Sequence, residues 1–375
     1  MKKKQGMAWI LAICLLLGEL VGLVPVPAAA EASASAEPKA AATAAYAAYL
    51  AAHGDPAAAA ANDTITIPAA SVNETEAYLA EYQGKSSVLV WDEQGTAYSW
   101  TFTAKTAGYY RLALTYAGVA NKQYDITLDV LLDGAAPYPN TLGVKLHRLF
   151  LDETYAGPGE NVFLQNLNGD EIMPALSEQY AWQTQYIYDS QGAYPAPLYY
   201  WLDTGEHTIT LTLKDEAFAL DAITFLNLPK EPTYAETLAA HADAADTSGV
   251  FLTYEAEKSY LKNDVTLFAT YDTAYSHVTP ASAENILYNT IGKNTWKKVG
   301  QTITWEIDVP QTGWYCVACK VKQYDKSNAY STRAFTLDGE PICVEADAQK
   351  FPYKTGWYVQ RLETEGDEPI KGYLT

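Results

Sequence analysis

Two kinds of constellation in this 375-residue chain could do chemistry. The first is acidic. Glu255 and Glu257 flank one alanine in Tyr254-Glu255-Ala256-Glu257. On a strand, residues two apart share a face, so both carboxylates can meet one hard cation such as calcium, which takes oxygen ligands. Glu74-Thr75-Glu76 is read as the counterpart nearer the N-terminus, with Asp221 offering a third oxygen. A solvated acidic edge is the competing reading. The second constellation is aromatic. Tyr180, Trp182, Tyr186, Tyr188 and Tyr194 stand among Asn, Gln and Asp, and Tyr353 and Trp357 follow an Asp-Gly turn. Aromatic faces stack on sugar rings while amides and carboxylates bond the hydroxyls, the usual mix of a small-ligand site. Trp182, Tyr186, Tyr188, Tyr353 and Trp357 are therefore the expected carbohydrate-binding residues. Trp182 is read as a ligand contact or a contact between domains.

No catalytic residue is assigned. Gly-x-Ser-x-Gly, His-Glu-x-x-His and glycine-rich phosphate loops are missing from the sequence. Carboxylates are numerous, so a glycosidase pair stays open. Cys316-Val-Ala-Cys319 is formally C-x-x-C, but in a strand its two sulfurs face opposite sides of the sheet. Cys319 is expected in the core, and a disulfide from Cys343 to either is open. His53 and His241 are expected at helix ends, where a cation is mildly favoured.

The formal net charge of −20 argues against nucleic acid or an anionic membrane as partner. With 49% hydrophobic residues the chain is globular. Lys2, Lys3 and Lys4 precede a run from Met7 to Val24 that is apolar apart from Glu19, and Ala28-Ala29-Ala30 offers a cleavage site. Residues 1–30 therefore read as a secretion signal. Leu11-Ala12-Ile13-Cys14 resembles a degraded lipobox, which leaves a lipid anchor as the alternative.

These residues are positioned by a module that occurs twice. Trp91, Gly95, Trp100, Gly108, Tyr110 and Leu132-Asp133-Gly134 reappear 205 residues on as Trp296, Gly300, Trp305, Gly313, Tyr315 and Leu337-Asp338-Gly339. Repetition marks Trp91 and Trp296 as scaffold. A helical stretch from Tyr46 to His53 recurs as Tyr234 to His241. After each helix the apolar period becomes two: Trp100, Phe102 and Ala104 alternate with Thr101 and Thr103, as Trp305, Ile307 and Val309 do with Glu306 and Asp308. Many short strands with frequent turns, including Asp-Gly hairpins, predict an all-β chain of two tandem β-sandwiches. The expected parts are a signal (1–30), a linker and short helix (31–61), module 1 (62–228), a linker helix (229–248) and module 2 (249–375). Pro197–Leu202 matches Pro369–Leu374 at an offset of 172, so module 1 carries about 33 extra residues, to which Trp182 appears unique. Module 1 then runs on through Phe225, and module 2 is expected to be C-terminally truncated.

Tyr254-Glu-Ala-Glu257, Gly205-Glu-His-Thr-Ile-Thr-Leu211 and Ala219-Leu-Asp-Ala-Ile223 resemble galactose-binding-like (jelly-roll) sandwiches, including family 6 and family 35 carbohydrate-binding modules. Asn289–Gly292 through Trp296, Trp305–Pro310 to Tyr315, Phe351–Tyr353 to Trp357, Gly169-Asp170 through Trp182 and Asp189–Gly192 resemble the N-terminal region of large extracellular solute-binding proteins of Gram-positive ABC sugar transporters. The resemblance implies a cell-surface, non-catalytic accessory region of a sugar-capture protein. Its partner would be a glycan or cell-wall polysaccharide, with a transporter permease reached through a further domain. It also implies calcium ligands at Glu255, Glu257 and Asp221. Binding modules of a glycoside hydrolase or lyase, or a spacer without ligand, are the alternatives. Residues 249–375 alone are expected to lack edge strands and to self-associate or melt without cooperativity; a cooperative melt of a monomer, checked by calorimetry and sedimentation, would contradict that.

Overall fold

The structure is a computed structural model that describes residues 28–375 except 120–123, 229, 248, 276 and 326, with side chains from Lys39 onward. The Leu11–Cys14 motif and nearly all of the expected signal lie outside the described residues. Helix α1 spans Ala28–His53, so the stretch read as a linker is helical. Its alanines explain this, alanine being the strongest helix former. Its C-terminal part buries Ala42 and Tyr46.

The first module contains β1 (Ile65–Pro68), β2 (Leu79–Tyr82), β3 (Lys85–Trp91), β4 (Ala97–Ala104), β5 (Gly108–Gly118), β6 (Ile126–Leu132) and β7 (Val144–Leu146). It continues with β8 (Leu149–Asp152), β9 (Leu176–Gln179), β10 (Gln183–Tyr186), β11 (Tyr199–Leu202), β12 (Gly205–Asp215) and β13 (Phe218–Leu226). One sheet has the order β10-β5-β13-β3-β2, with β1 also on β13 and β11 also on β5; the facing sheet is β4-β12-β6-β7. Phe102 of one sheet stacks on Phe225 of the other, 4.9 Å between centroids. The expected alternation holds on β4, where Trp100, Phe102 and Ala104 are buried and Thr101 and Thr103 exposed.

Helix α2 (Tyr234–Ala240), closed by a capping box from Thr233 and Glu236, opens the second module. There follow β14 (Leu261–Lys262), β15 (Ala269–Thr270), β16 (Thr290–Ile291), β17 (Ile303–Thr304), β18 (Gly313–Cys316) and β19 (Ala318–Val321). The remaining strands are β20 (Tyr330–Arg333), β21 (Thr336–Leu337), β22 (Glu340–Pro341), β23 (Gln349–Pro352), β24 (Tyr358–Arg361) and β25 (Lys371–Leu374).

Strand registers establish the repeat in three dimensions. Leu202 pairs with Gly108 as Leu374 pairs with Gly313. Gln183 pairs with Tyr116 as Tyr358 pairs with Val321. Ile126 pairs with Leu146 as Ser331 pairs with Phe351. Each helix clamps its module at the same edge: Tyr199 N donates to the Tyr46 hydroxyl at 2.9 Å, and Lys371 N to the Tyr234 hydroxyl at 3.1 Å. His53 stacks on Trp201 and His241 on Tyr373 at the two helix ends. Gly108 and Gly313 lie so close to the preceding chain that a Cβ would stand 2.7 Å from Ala59 O and 2.6 Å from Ala245 O. Only glycine fits either place.

The extra residues of module 1 fall chiefly between β7 and β10, and they carry β8 and β9. These two strands join the second module in one four-stranded sheet, β17-β14-β8-β9. Leu261 pairs with Leu151 and Lys262 with Phe150 across the junction. Lys262 Nζ meets Asp152 Oδ1 at 2.6 Å with both side chains essentially inaccessible. Burial lowers the Lys262 ammonium and raises the Asp152 carboxyl, and their mutual attraction opposes both shifts.

The second module departs from expectation in its core. Trp305, Ile307 and Val309 do not continue a strand, and Ile307 is 39% exposed where its counterpart Phe102 is 7%. Cys319 is half-buried rather than core. No strand of the β12 or β13 kind covers this face among the described residues. Cys316, Cys319 and Cys343 are free thiols. Breaking the junction pair by Lys262→Met is expected to destabilise the chain by about 3–5 kcal/mol in denaturant melts, while the double change with Asp152→Leu recovers most of the loss. A single variant within a few tenths of a kcal/mol of the parent would show that the pair does not hold the junction.

Candidate functional site

Register places Trp182 and Trp357 at one position, the residue before β10 and before β24. Trp182 is therefore not unique to the extra residues, contrary to expectation. The reason is that the chain length between β7 and β10 differs from that between β23 and β24, which hides the match in a linear comparison. Both indoles reach the connection between the second and third strands of their own module. In the first module that connection is the turn Gln83-Gly84, and Trp182 Nε1 donates to Gln83 O at 3.0 Å. Lys85 Nζ lies 4.8 Å over the Trp182 ring. In the second module the connection is the loop 271–289, between β15 and β16, and Trp357 Nε1 donates to Asp272 Oδ2 at 2.9 Å.

Asp272 organises this loop. Its Oδ2 also accepts from Lys322 Nζ at 2.9 Å and its Oδ1 from Ala274 N at 2.9 Å. Burial alone would raise the carboxyl, but bonds from Lys322, Trp357 and Ala274 outweigh it and hold Asp272 below the ordinary carboxylate value. The Lys322 ammonium sits 4.4 Å over Tyr275 and 4.7 Å over Tyr324, a favourable ammonium–ring arrangement. The Tyr275 hydroxyl donates to Thr355 O at 2.9 Å, tying the loop to the segment before Trp357. Asn289 Oδ1 accepts from Asp272 N at 2.8 Å, and its Nδ2 donates to Pro280 O at 2.9 Å. The result is a cleft of about 300 Å³ lined by Asp272, Tyr275, Ser282, Asn285, Leu287 and Asn289 among others. One wall is fixed by the first module, because Asn285 Nδ2 donates to Asn168 O at 2.6 Å and Ile286 N to Asp170 Oδ1 at 2.9 Å.

The five expected aromatics thus lie in three places. Trp357 bonds Asp272, a residue of the cleft wall, without lining the cleft itself, and Tyr353 begins the same connection, its N bonded to Ala329 O. Trp182 packs on the β2–β3 hairpin. Tyr186 and Tyr188 lie at and just beyond the end of β10. Burial raises the Tyr188 phenol, with Tyr186, Glu231 and Asp347 adding to the shift and Arg111 opposing it. Asp272, Tyr275, Lys322 and Tyr324 were missed by sequence reasoning. For Asp272 and Tyr275 the signal was the unusual length of the 271–289 connection, at a point where the first module has a two-residue turn; nothing in the sequence marked Lys322 or Tyr324.

The expected metal ligands are likewise dispersed. Asp221 pairs with Lys85. Glu74 accepts from Ser99 N at 2.8 Å and Ser99 Oγ at 2.7 Å, and Glu76 is exposed. Glu74-Thr75-Glu76 is not the counterpart of Glu255-Ala256-Glu257. Trp100 Nε1 donates to Ala69 O as Trp305 Nε1 donates to Ala256 O, so the counterpart is Pro68-Ala69-Ala70. Glu255 and Glu257 occupy a turn rather than a strand, with Lys258 N bonded to Glu255 O. Glu257 is 1% exposed, and neither of its carboxylate oxygens has a hydrogen-bond partner. Buried oxygens of Ser259 and Asn161 also lack partners, and Asn161 Nδ2 reaches Ser259 O at 3.4 Å. This donor set is all oxygen and fits a hard cation in kind. Among the described residues no three His, Cys, Asp or Glu side chains converge.

No family model matches the chain, and no curated protein matches its sequence. Part of it is similar to solved structures. The GH26-CBM35 beta-(1,4)-mannanase of Podospora anserina aligns at 14% identity and a TM-score of 0.27, over 46% of this chain and 30% of that one. A family 35 carbohydrate binding module from Clostridium thermocellum aligns at 13% and 0.28, over 44% and 99%. A family 35 module from Cellvibrio japonicus aligns at 14% and 0.28, over 44% and 95%. The chain thus spans less than a third of the mannanase. Such identities speak to fold alone, and TM-scores this low carry no argument about the site.

Burial pushes the Glu257 carboxyl up to about 8, with Glu255 and Glu171 adding to the shift. The ordinary value is near 4.5, so as pH rises the unfolded chain loses this proton first. Without added cation, the Glu257 contribution to stability is expected to fall from about pH 4.5 to about pH 8 and then level off. Glu257→Gln should remove that slope in denaturant melts across the range; an identical slope in the variant would count against the assignment.

Proposed function

We propose that the chain is a secreted, non-catalytic glycan-binding unit, with the sugar held in the cleft of the 271–289 loop. The observation that carries this reading is the arrangement around Asp272. A fixed carboxylate, the Tyr275 ring and the side-chain amides of Asn285 and Asn289 border one concave surface, and Lys322 holds the carboxylate from behind it. A sugar ring needs that mix, an apolar plate for its C–H face and polar groups for its hydroxyls. In this reading the unit is the accessory region of an extracellular sugar-capture protein at the cell wall, with a permease engaged through a further domain. The same cleft would equally serve a module that holds a polysaccharide-degrading enzyme on its substrate.

The full chain is expected to bind cell-wall or plant polysaccharides on a glycan array. Tyr275→Ala should weaken binding roughly tenfold in calorimetry, about 1.4 kcal/mol, while Trp182→Ala leaves it unchanged. Silence on every glycan would return the spacer reading.

Calcium is proposed at Glu257, with Glu255, Asn161 and Ser259 supplying further oxygens. There it would neutralise a buried carboxylate beside the junction between modules. Added calcium should raise the Tm of the parent chain and leave Glu257→Gln unmoved. A parent Tm indifferent to calcium and to chelator would end the proposal.

A further inference from the structure

Among the described residues, the lining of the 271–289 cleft carries one charge, that of Asp272. That charge is already met: Oδ2 accepts from Lys322 Nζ and Trp357 Nε1, and Oδ1 accepts from Ala274 N. A sugar carboxylate would face this anion with no lysine, arginine or histidine in the lining to pair it. A sugar ammonium would meet a carboxylate that Lys322 already balances, and would be repelled by Lys322 itself. The wall therefore suits a neutral ring.

The rest of the lining is largely aliphatic. Pro280, Ala281, Ala283 and Leu287 stand with Tyr275, the one aromatic ring of the set. Ala281 and Ala283 are exposed and Pro280 and Leu287 half-buried, so their carbon atoms are open to a ligand. A ring bearing only hydroxyls would press some of them on side chains that cannot bond them, and a desolvated hydroxyl without a partner is unfavourable. A methyl group in the same place gains from burial.

Two polar groups sit among these methyls. Ser282 Oγ accepts from Glu284 N at 3.2 Å and from Asn285 N at 3.0 Å, which leaves its own proton to donate. Asn285 Nδ2 is engaged by Asn168 O at 2.6 Å, which leaves Oδ1 to accept. One donor and one acceptor thus stand close together, flanked by Ala281 and Ala283. We propose that the cleft takes a neutral acetamido sugar, an N-acetylhexosamine unit of a polysaccharide. Its methyl group lies on Ala281 and Ala283, its carbonyl accepts from the Ser282 hydroxyl, its N–H donates to Asn285 Oδ1, and its ring lies on Tyr275. This names the ligand class of the glycan reading and rests on it. An O-acetyl group brings the methyl and the carbonyl but no N–H, and would leave Asn285 Oδ1 without a donor.

The test is binding of the full chain to gluco- and galacto-configured glycans in matched sets. Within a set, ring and linkage are the same and one carbon carries an acetamido, hydroxyl, free amine or O-acetyl group. The acetamido member is expected to bind roughly tenfold or more tightly than each counterpart in at least one set, as calorimetry reads it. Ser282→Ala and Ala283→Asp should each reduce that preference to about threefold or less, with an unchanged Tm showing that the fold is kept. A counterpart that binds as tightly as the acetamido member in every set overturns the proposal and leaves the glycan reading standing. A preference that survives both substitutions puts the acetamido group elsewhere and overturns it too. Silence on every glycan ends both.

Discussion

A strand edge carries free N–H and C=O groups along its length, and a half-buried edge must find partners for them. The form of this molecule follows from how each edge meets that demand. In the first module β13 and β12 occupy the middle of their sheets. The outer edge of β5 is shared by β10 and β11 in turn. The edge left by β11 is met by tyrosine hydroxyls from α1 instead of another strand, with Tyr46 and Tyr49 accepting from Tyr199 and Trp201. The same helix-to-edge contact, made by Tyr234 on β25, shows that it belongs to the module and not to one copy.

The junction between the modules obeys the same rule. β8 and β14 pair along their edges, making one sheet from two modules. A lysine and an aspartate buried at that seam fix the register more than they add stability, since their desolvation offsets much of their attraction. The loop 271–289 leans on the same extra segment through Asn285 and Ile286. The cleft therefore depends on both modules, though most of its chemistry comes from the second.

Much of the fold was legible in the sequence. Trp, Gly and Asp-Gly positions kept a constant spacing because each answers a local demand: a buried indole, a close backbone approach, a tight hairpin with positive φ at Asp133 and Asp338. The site was less legible. Trp182 and Trp357 looked unrelated because chain length between strands varies freely while strand register does not. Glu74-Thr75-Glu76 looked like the twin of Glu255-Ala256-Glu257 because composition matched, whereas the indole bonds of Trp100 and Trp305 align other residues.

The sequence by itself determined a β module that occurs twice, each copy with its helix, and the inward face of the main strands of the first copy. Those follow from local periodicity and from glycine and aspartate turn chemistry, which neighbouring residues settle among themselves. Only the tertiary structure decided that the extra segment of module 1 bridges the two modules. It also decided that Asp272 gathers Trp357, Lys322 and Ala274, and that the Glu257 carboxyl is buried without a hydrogen-bond partner. Each of these joins residues far apart in the chain, and such meetings depend on which edges remain open once the local elements have formed.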